Sequence, residues 1–289
     1  MVLLHIKHGD ESHFLYETNT STPIDQLMGE VLNIYNGRLK INRVIGEMEE
    51  LAKHGTLLPP DMMGLTDEQV EELKLKDDQG EHCKPTEYIF NKDPIGRRNG
   101  YQPPDKMQEL IKKTIEEVRQ NISKDLVTKN QCLTEAVVQE SLNLLRGCIM
   151  IIYPMNLPTH DPIRMELENR EDLTGLQASK EIIEPSMGAL WFAGKAMLRD
   201  KLVRDYLGKN EKCKAVVKVA KISSGAPARE PPMTEEQKKQ LMMHYYRRQE
   251  EEKKLEVDND DSYSNSEWAD NKSLHKSLLG LNRVSWKPR

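Results

Sequence analysis

Val2, Leu4 and Ile6 alternate with Leu3, His5 and Lys7, and after a Gly9-Asp10 turn Phe14 and Tyr16 alternate again. That spacing predicts a hairpin of two strands. Thr22 offers an N-cap just before Pro23. Ile24, Leu27, Met28, Val31, Leu32 and Tyr35 then recur at helical spacing,. Asn36-Gly37 is expected to break this helix. A second stripe, Ile41, Val44, Ile45, Met48, Leu51 and Ala52, closes at Gly55 in a C-cap position,.

Residues 56–147 read differently. After Pro59-Pro60, Thr66 and Gln69 form a capping box for a short acidic helix reaching about Leu75,. No period persists from Lys76 to Pro104, where prolines and glycines break the chain. Asp105 is expected to cap an amphipathic helix with Met107, Leu110, Ile111, Ile115, Val118 and Ile122 on its apolar face,. A second helix from about Thr134 turns Val137, Val138, Leu142 and Leu145 inward and is expected to stop at Gly147, which makes the pair an antiparallel hairpin.

Beyond it the pattern suggests sheet again. Cys148 to Tyr153 is a short apolar run ending at Pro154, the mark of a buried strand,. Ile163, Met165 and Leu167 alternate with polar residues, as in a strand wet on one face. Leu190, Trp191, Met197, Leu198, Leu202 and Tyr206 predict a helix from about Pro185 to Leu207, stopped by Gly208. Cys213, Ala215, Val217 and Val219 predict a last strand.

The resulting order is ββα, a helical insert, then ββαβ, within an α+β class. It is the order of a split β-grasp (ubiquitin-like) body, with residues 1–55 and 148–222 as its halves and 56–147 as the insert. A plain α+β domain with another strand order stays open, because periodicity does not give strand order. Residues 223–289 are expected to hold a linker, a charged helix that Thr234 and Gln237 begin, and a polar tail in which Trp268 and Trp286 stand out,.

Composition narrows the function. Over 289 residues, 42 Lys+Arg against 47 Asp+Glu leave a net charge of −5, which argues against a nucleic-acid partner. Four scattered cysteines, with no C-x-x-C, fit a reducing compartment and neither a zinc ribbon nor a dithiol motif,. The longest apolar run is far too short for membrane insertion. Met1 to Ile6 ends in Lys7 without a signal-peptide layout, Val2 excludes myristoylation, and Lys287-Pro288-Arg289 is no lipid anchor,. A soluble intracellular protein is expected.

Catalytic chemistry is hard to find. Gly96-Arg97-Arg98-Asn99-Gly100 lacks phosphate-loop spacing and reads first as a basic surface turn,. His5 and His8 fall on opposite faces of a strand, wrong for one metal ion. His82-Cys83 has no second ligand pair. Thr159-His160-Asp161 are sequence neighbours, whereas a triad is spatial. No cofactor, metal or catalytic residue is expected. Arg97 and Arg98 are one candidate partner-binding patch, a basic turn in an acidic chain. Trp268 and Trp286 are another, as aromatic anchors.

Several segments together resemble the family of cilia- and flagella-associated protein 298, also called Kurly. They include Met1-Val2-Leu3-Leu4-His5, Tyr35-Asn36-Gly37-Arg38-Leu39-Lys40 and Asp93-Pro94-Ile95-Gly96-Arg97-Arg98-Asn99-Gly100. Asp161-Pro162-Ile163-Arg164-Met165-Glu166, Gly225-Ala226-Pro227, Trp268-Ala269-Asp270-Asn271 and Trp286-Lys287-Pro288-Arg289 extend the likeness over essentially the whole chain. Trp191-Phe192 departs from the family's double tryptophan, a change that still packs. The resemblance implies a non-enzymatic adaptor in axonemal dynein arm assembly, found in the cytoplasm and at the basal body. It also implies a role in cilium positioning and planar cell polarity. Its expected partners are dynein-arm assembly factors and axonemal dynein chains. The alternative is a structural component built into the axoneme.

Overall fold

The N-terminal alternation folds as it reads. Strand β1 (Val2–His8) turns at Gly9, which takes a positive φ of 60°, into β2 (Glu11–Thr18). Helix α1 (Ile24–His54) follows, about 46 Å long at 1.5 Å per residue,. In this computed structural model residues 1–228 and 235–264 are described. The chain divides into two units, Met1–Arg229 and Glu230–Arg289.

In the first unit come α2 (Asp67–Glu72), α3 (Asp78–His82) and a two-residue ribbon of β3 (Ile89–Phe90) and β4 (Tyr101–Gln102). Next are α4 (Asp105–Asn121), α5 (Glu135–Ile152), α6 (Pro162–Leu167) and α7 (Gln177–Glu181). The unit closes with β5 (Gly188–Phe192), β6 (Lys195–Ala196), α8 (Val203–Leu207) and β7 (Lys214–Lys221). The architecture is α+β, with a mixed five-stranded sheet in the order β2-β1-β7-β5-β6. β1 and β7 run parallel, Leu3 opposite Lys214 and Lys7 opposite Lys218, and the other pairs are antiparallel.

Alternation puts Leu4, Ile6, Phe14, Leu190, Val217 and Val219 on one face of the sheet, in a common core with Leu27, Val31 and Ile34 of α1,. α1 is buried on more than one side, because α4, α5 and α6 also pack on it. Asn36-Gly37 does not interrupt it. The Asn36 amide exchanges hydrogen bonds with the backbone of Ile183, accepting at 3.2 Å and donating at 2.8 Å. A Cβ on Gly37 would lie 2.5 Å from Val138 Cγ1, so the glycine is where α5 comes closest,.

Arg38 is buried with no carboxylate partner among the described residues. Its guanidinium donates to the carbonyls of His13 (2.7 Å) and Ile122 (2.8 Å). Ile122 caps the C-terminus of α4, whose dipole is negative and favours a cation there. Burial still pushes the Arg38 guanidinium down to about 10.

Several expectations need correction. Thr22 does not cap α1. Pro23 occupies the cap, and the Thr22 hydroxyl accepts from Thr18 instead. Pro104 rather than Asp105 precedes α4. Cys148 to Tyr153 is the end of α5 and no strand. Gly147 costs a helix only about 1 kcal/mol, and the stripe continues through Leu142, Leu145, Cys148, Ile149 and Ile152. Ile163 to Leu167 is helix α6, started by Pro162 and by the Asp161 carboxylate, which accepts from Ile163 N at 3.0 Å,.

Pro185 to Leu207 is chiefly a hairpin. Ala193 (φ 50°) and Gly194 (φ 80°) make the turn with two positive φ values that joins Phe192 to Lys195,. Only α8 near its end is helical. The string ββαβ therefore lies within residues 188–221, later than expected.

In the second unit, α9 (Glu235–Ser264) is polar nearly all round, with Met242, Met243, Tyr245 and Tyr246 exposed. The expected Arg248–Glu252 pair forms at 3.2 Å. Thr234 lies outside the described residues.

Candidate protein-interaction site

The turn from Asp93 to Gly100 is built around one carboxylate. Asp93 accepts from the N–H groups of Ile95 (3.0 Å), Arg97 (2.9 Å) and Arg98 (3.0 Å). Burial works against the charge, but these backbone donors outweigh it and hold the carboxyl below its usual range,. Gly96 and Gly100 take positive φ values of 69° and 79°. The turn is fastened to the exit of α1 by Leu58 N to Arg97 O (3.0 Å), Asn99 N to Thr56 O (3.0 Å) and Gly100 N to His54 O (2.8 Å).

The two arginines go different ways. Arg98 is 4% exposed, and its guanidinium donates to Gly55 O (2.7 Å), Glu47 O (3.2 Å) and Glu47 Oε2 (2.5 Å). Arg97 reaches the other Glu47 oxygen at 3.0 Å, with its side chain 45% exposed. Glu47 is thus a fork holding both, and only Arg97 faces solvent. Below them Asp161 is fully buried and accepts from Leu57 N (3.2 Å) and Ile163 N (3.0 Å). Burial pushes its carboxyl up, opposed by the charge of Arg98.

On and just before this turn, apolar side chains form an exposed knuckle in the sequence. Ile95, between Asp93 and Gly96, is 79% exposed, and Phe90 is 65% exposed, with Tyr88 and Ile89 next to it about half exposed. Tyr101 backs Tyr88 and Phe90, its ring 4.9 Å from that of Tyr88 and 6.1 Å from that of Phe90. Lys84 Nζ lies 4.1 Å from the Tyr101 ring centre, a cation–π contact,. Sequence reasoning singled out the arginines and missed these apolar residues. Tyr88-Ile89-Phe90 and Ile95, penned between Pro85, Pro94 and Gly96, were the available signal.

The other sequence candidates separate. Trp268 and Trp286 lie outside the described residues. Thr159 donates to Gln79, His160 meets Leu57 O at 3.0 Å, and Asp161 caps α6, so the three side chains have separate partners. Among the described residues no group of three or more His, Cys, Asp or Glu could hold a metal ion. No helix among them is long and apolar enough to cross a membrane.

The chain is 54% identical to cilia- and flagella-associated protein 298-A of Xenopus laevis, over 100% of both chains. It is 53% identical to cilia- and flagella-associated protein 298 of Homo sapiens and 50% to that of Drosophila melanogaster, again over the whole of each.

The chain belongs to the cilia- and flagella-associated protein 298 family.

The family model of that description matches residues 188–284, which take in the β5–β6 hairpin, β7 and α9. No solved structure matches the chain. Membership associates the protein with cilia and flagella.

Proposed function

We propose that this protein is a non-enzymatic adaptor in the assembly of axonemal dynein arms, acting in the cytoplasm and at the basal body and linked to cilium positioning and planar cell polarity. Its body is a split β-grasp (ubiquitin-like) domain. The strand order β2-β1-β7-β5-β6 with a parallel centre, and α1 packed on the sheet, support that reading. The observation that carries the adaptor role is the knuckle. Ile95 stands in solvent on a turn made rigid by buried charge, and Tyr88, Ile89 and Phe90 are exposed on the segment just before it, as at the anchor of an interface,. Dynein-arm assembly factors or dynein chains are the partners, with Arg97 as the exposed cation at the rim and Trp268 and Trp286 as a second contact.

A second reading, a structural component built into the axoneme, draws on α9. A helix of 30 residues that is polar nearly all round suits a part laid along a filament,. Fractionation of motile ciliated cells separates the two. Recovery in cytoplasm together with assembly factors supports the adaptor. Retention in salt-washed axonemes at the stoichiometry of dynein chains overturns it. Ile95→Asp with Phe90→Asp is expected to abolish co-purification of dynein chains without lowering the melting temperature. Trp268→Ala with Trp286→Ala is expected to weaken it, and unchanged co-purification removes the tail from the contact.

A further inference from the structure

The final turns of α5 carry Cys148, Ile149, Met150, Ile151 and Ile152 without a polar break. A helix that is apolar all round is normally covered all round. Here Cys148, Ile149 and Ile152 face inward, whereas Met150 and Ile151 are 63% and 61% exposed, and Met155 just beyond is also exposed. Beside them runs a groove of about 570 Å³ lined by Ile149, Met150, Tyr153, Met155, Leu157 and Leu167, a size typical of concave binding sites. The buried hydroxyl of Tyr153 has no hydrogen-bond partner among the described residues.

The charges around the groove are unbalanced. Its charged lining residues are Arg146, Arg164 and Glu168. Glu168 is shared between Arg164 at 2.9 Å and the exposed Arg170 at 3.4 Å. Arg146 donates to the carbonyl of Leu167 at 2.9 Å. Three guanidiniums thus stand around one carboxylate, on a chain whose net charge is −5.

We propose that this groove, together with the exposed Ile151 and Arg170 just outside its lining, docks an amphipathic helix of another protein, its apolar face seated on Ile149, Met150, Ile151 and Met155 and its acidic flank paired with Arg146 and Arg170. Methionines adapt to varied apolar partners, and an apolar trough with a net positive rim gives an acidic-flanked helix affinity and orientation. The site lies on α5 and α6, does not include the Ile95 knuckle, and does not depend on the ciliary reading.

The test uses the full chain and two fluorescein-labelled helical peptides of about 20 residues. Both carry the same leucine face, one with glutamates on its flanks and the other with lysines. Fluorescence anisotropy is expected to show the glutamate peptide binding about tenfold tighter, ~1.4 kcal/mol. Met150→Asp with Ile151→Asp is expected to lower its affinity at least about tenfold. Arg146→Glu with Arg170→Glu is expected to reverse the preference. That exposed pair keeps the test decisive should the aspartate variant unfold, which circular dichroism reports. Equal binding of both peptides, no binding, or binding unchanged in a folded Met150→Asp/Ile151→Asp variant overturns the proposal. A dimer seen by sedimentation and lost in that variant also overturns it, assigning the face to a second copy of the chain.

Discussion

The sheet with α1 and the segment from Gly55 to Gln102 hold together by different means. The first relies on apolar burial, with Leu4, Ile6, Leu27, Ile41 and Val217 fully covered. The second has few regular elements and is wired by charge, Asp93 gathering backbone donors and Glu47 taking both arginines. Apolar contacts are forgiving, because neighbours relax around a lost methylene. A buried charge is not, because removing one partner strands the other in a medium that solvates it poorly. The charge-built region can therefore hold a short irregular turn in one conformation, and it is more easily ruined by one change.

The sharpest break in this contrast is Arg98→Ala. It leaves the Glu47 carboxylate with Arg97 alone, strands the buried Gly55 carbonyl and removes the charge that opposes the burial of Asp161. A loss of about 3–5 kcal/mol is expected in urea unfolding, with exchange protection lost first at Leu58, Asn99 and Gly100. Ile41→Ala, in the apolar region, is expected to cost about 2–5 kcal/mol with protection falling evenly across the sheet. Local loss in both variants, or global loss in both, would erase the distinction.

Acid separates the regions further. Burial and the neighbouring Arg38 hold His13 down to about 4, from 6.5. The folded state thus binds fewer protons than the unfolded chain between those values. Stability is expected to fall as pH drops from 6.5 towards 4 and then level off, and His13→Gln should flatten that slope. Asp93, held below 3.8, contributes stability that is full above 3.8 and is lost as pH falls through its lower folded value,. Amides of Arg97 and Arg98 should therefore open only at the more acidic end, and Asp93→Asn should expose them at neutral pH. The smallest effect belongs to Arg97→Ala, under about 1 kcal/mol for a half-exposed ion pair, so any larger loss of partner binding in that variant reports contact rather than folding.

Legibility in the sequence followed the same divide. β1 and the two stripes of α1 were readable because part of each is wet, so period 2 or 3.6 survives in the residues, and β7 was readable from the alternation of its lysines although Lys218 and Ala220 are buried. The Thr66–Gln69 capping box also forms, at 3.0 and 3.4 Å. Cys148 to Tyr153 was misread because an unbroken apolar run has no period. Leu190, Trp191 and Met197 mimicked a helical stripe, and only Ala193-Gly194 marked the hairpin. Asp161-Pro162 announced α6 as a cap and first-turn proline, a signal stronger than the alternation that followed it. Arg97 and Arg98 were conspicuous, but nothing local says that Glu47 waits on α1 to turn one of them inward.

The parallel pairing of β1 with β7 also sets the order in which the molecule can be made. His8 meets the carbonyl of Val219 across 211 residues of chain. At about 5–20 residues per second, the opening hairpin spends roughly 10–40 s after leaving the ribosome before its central neighbour is synthesised. Throughout that interval β1 offers an open edge, and the apolar faces of the hairpin and α1 lack half of their cover. Such a nascent chain is a natural client for chaperones. A truncation between residues 197 and 213 leaves the sheet split at its middle, with both hairpins made and nothing to join them.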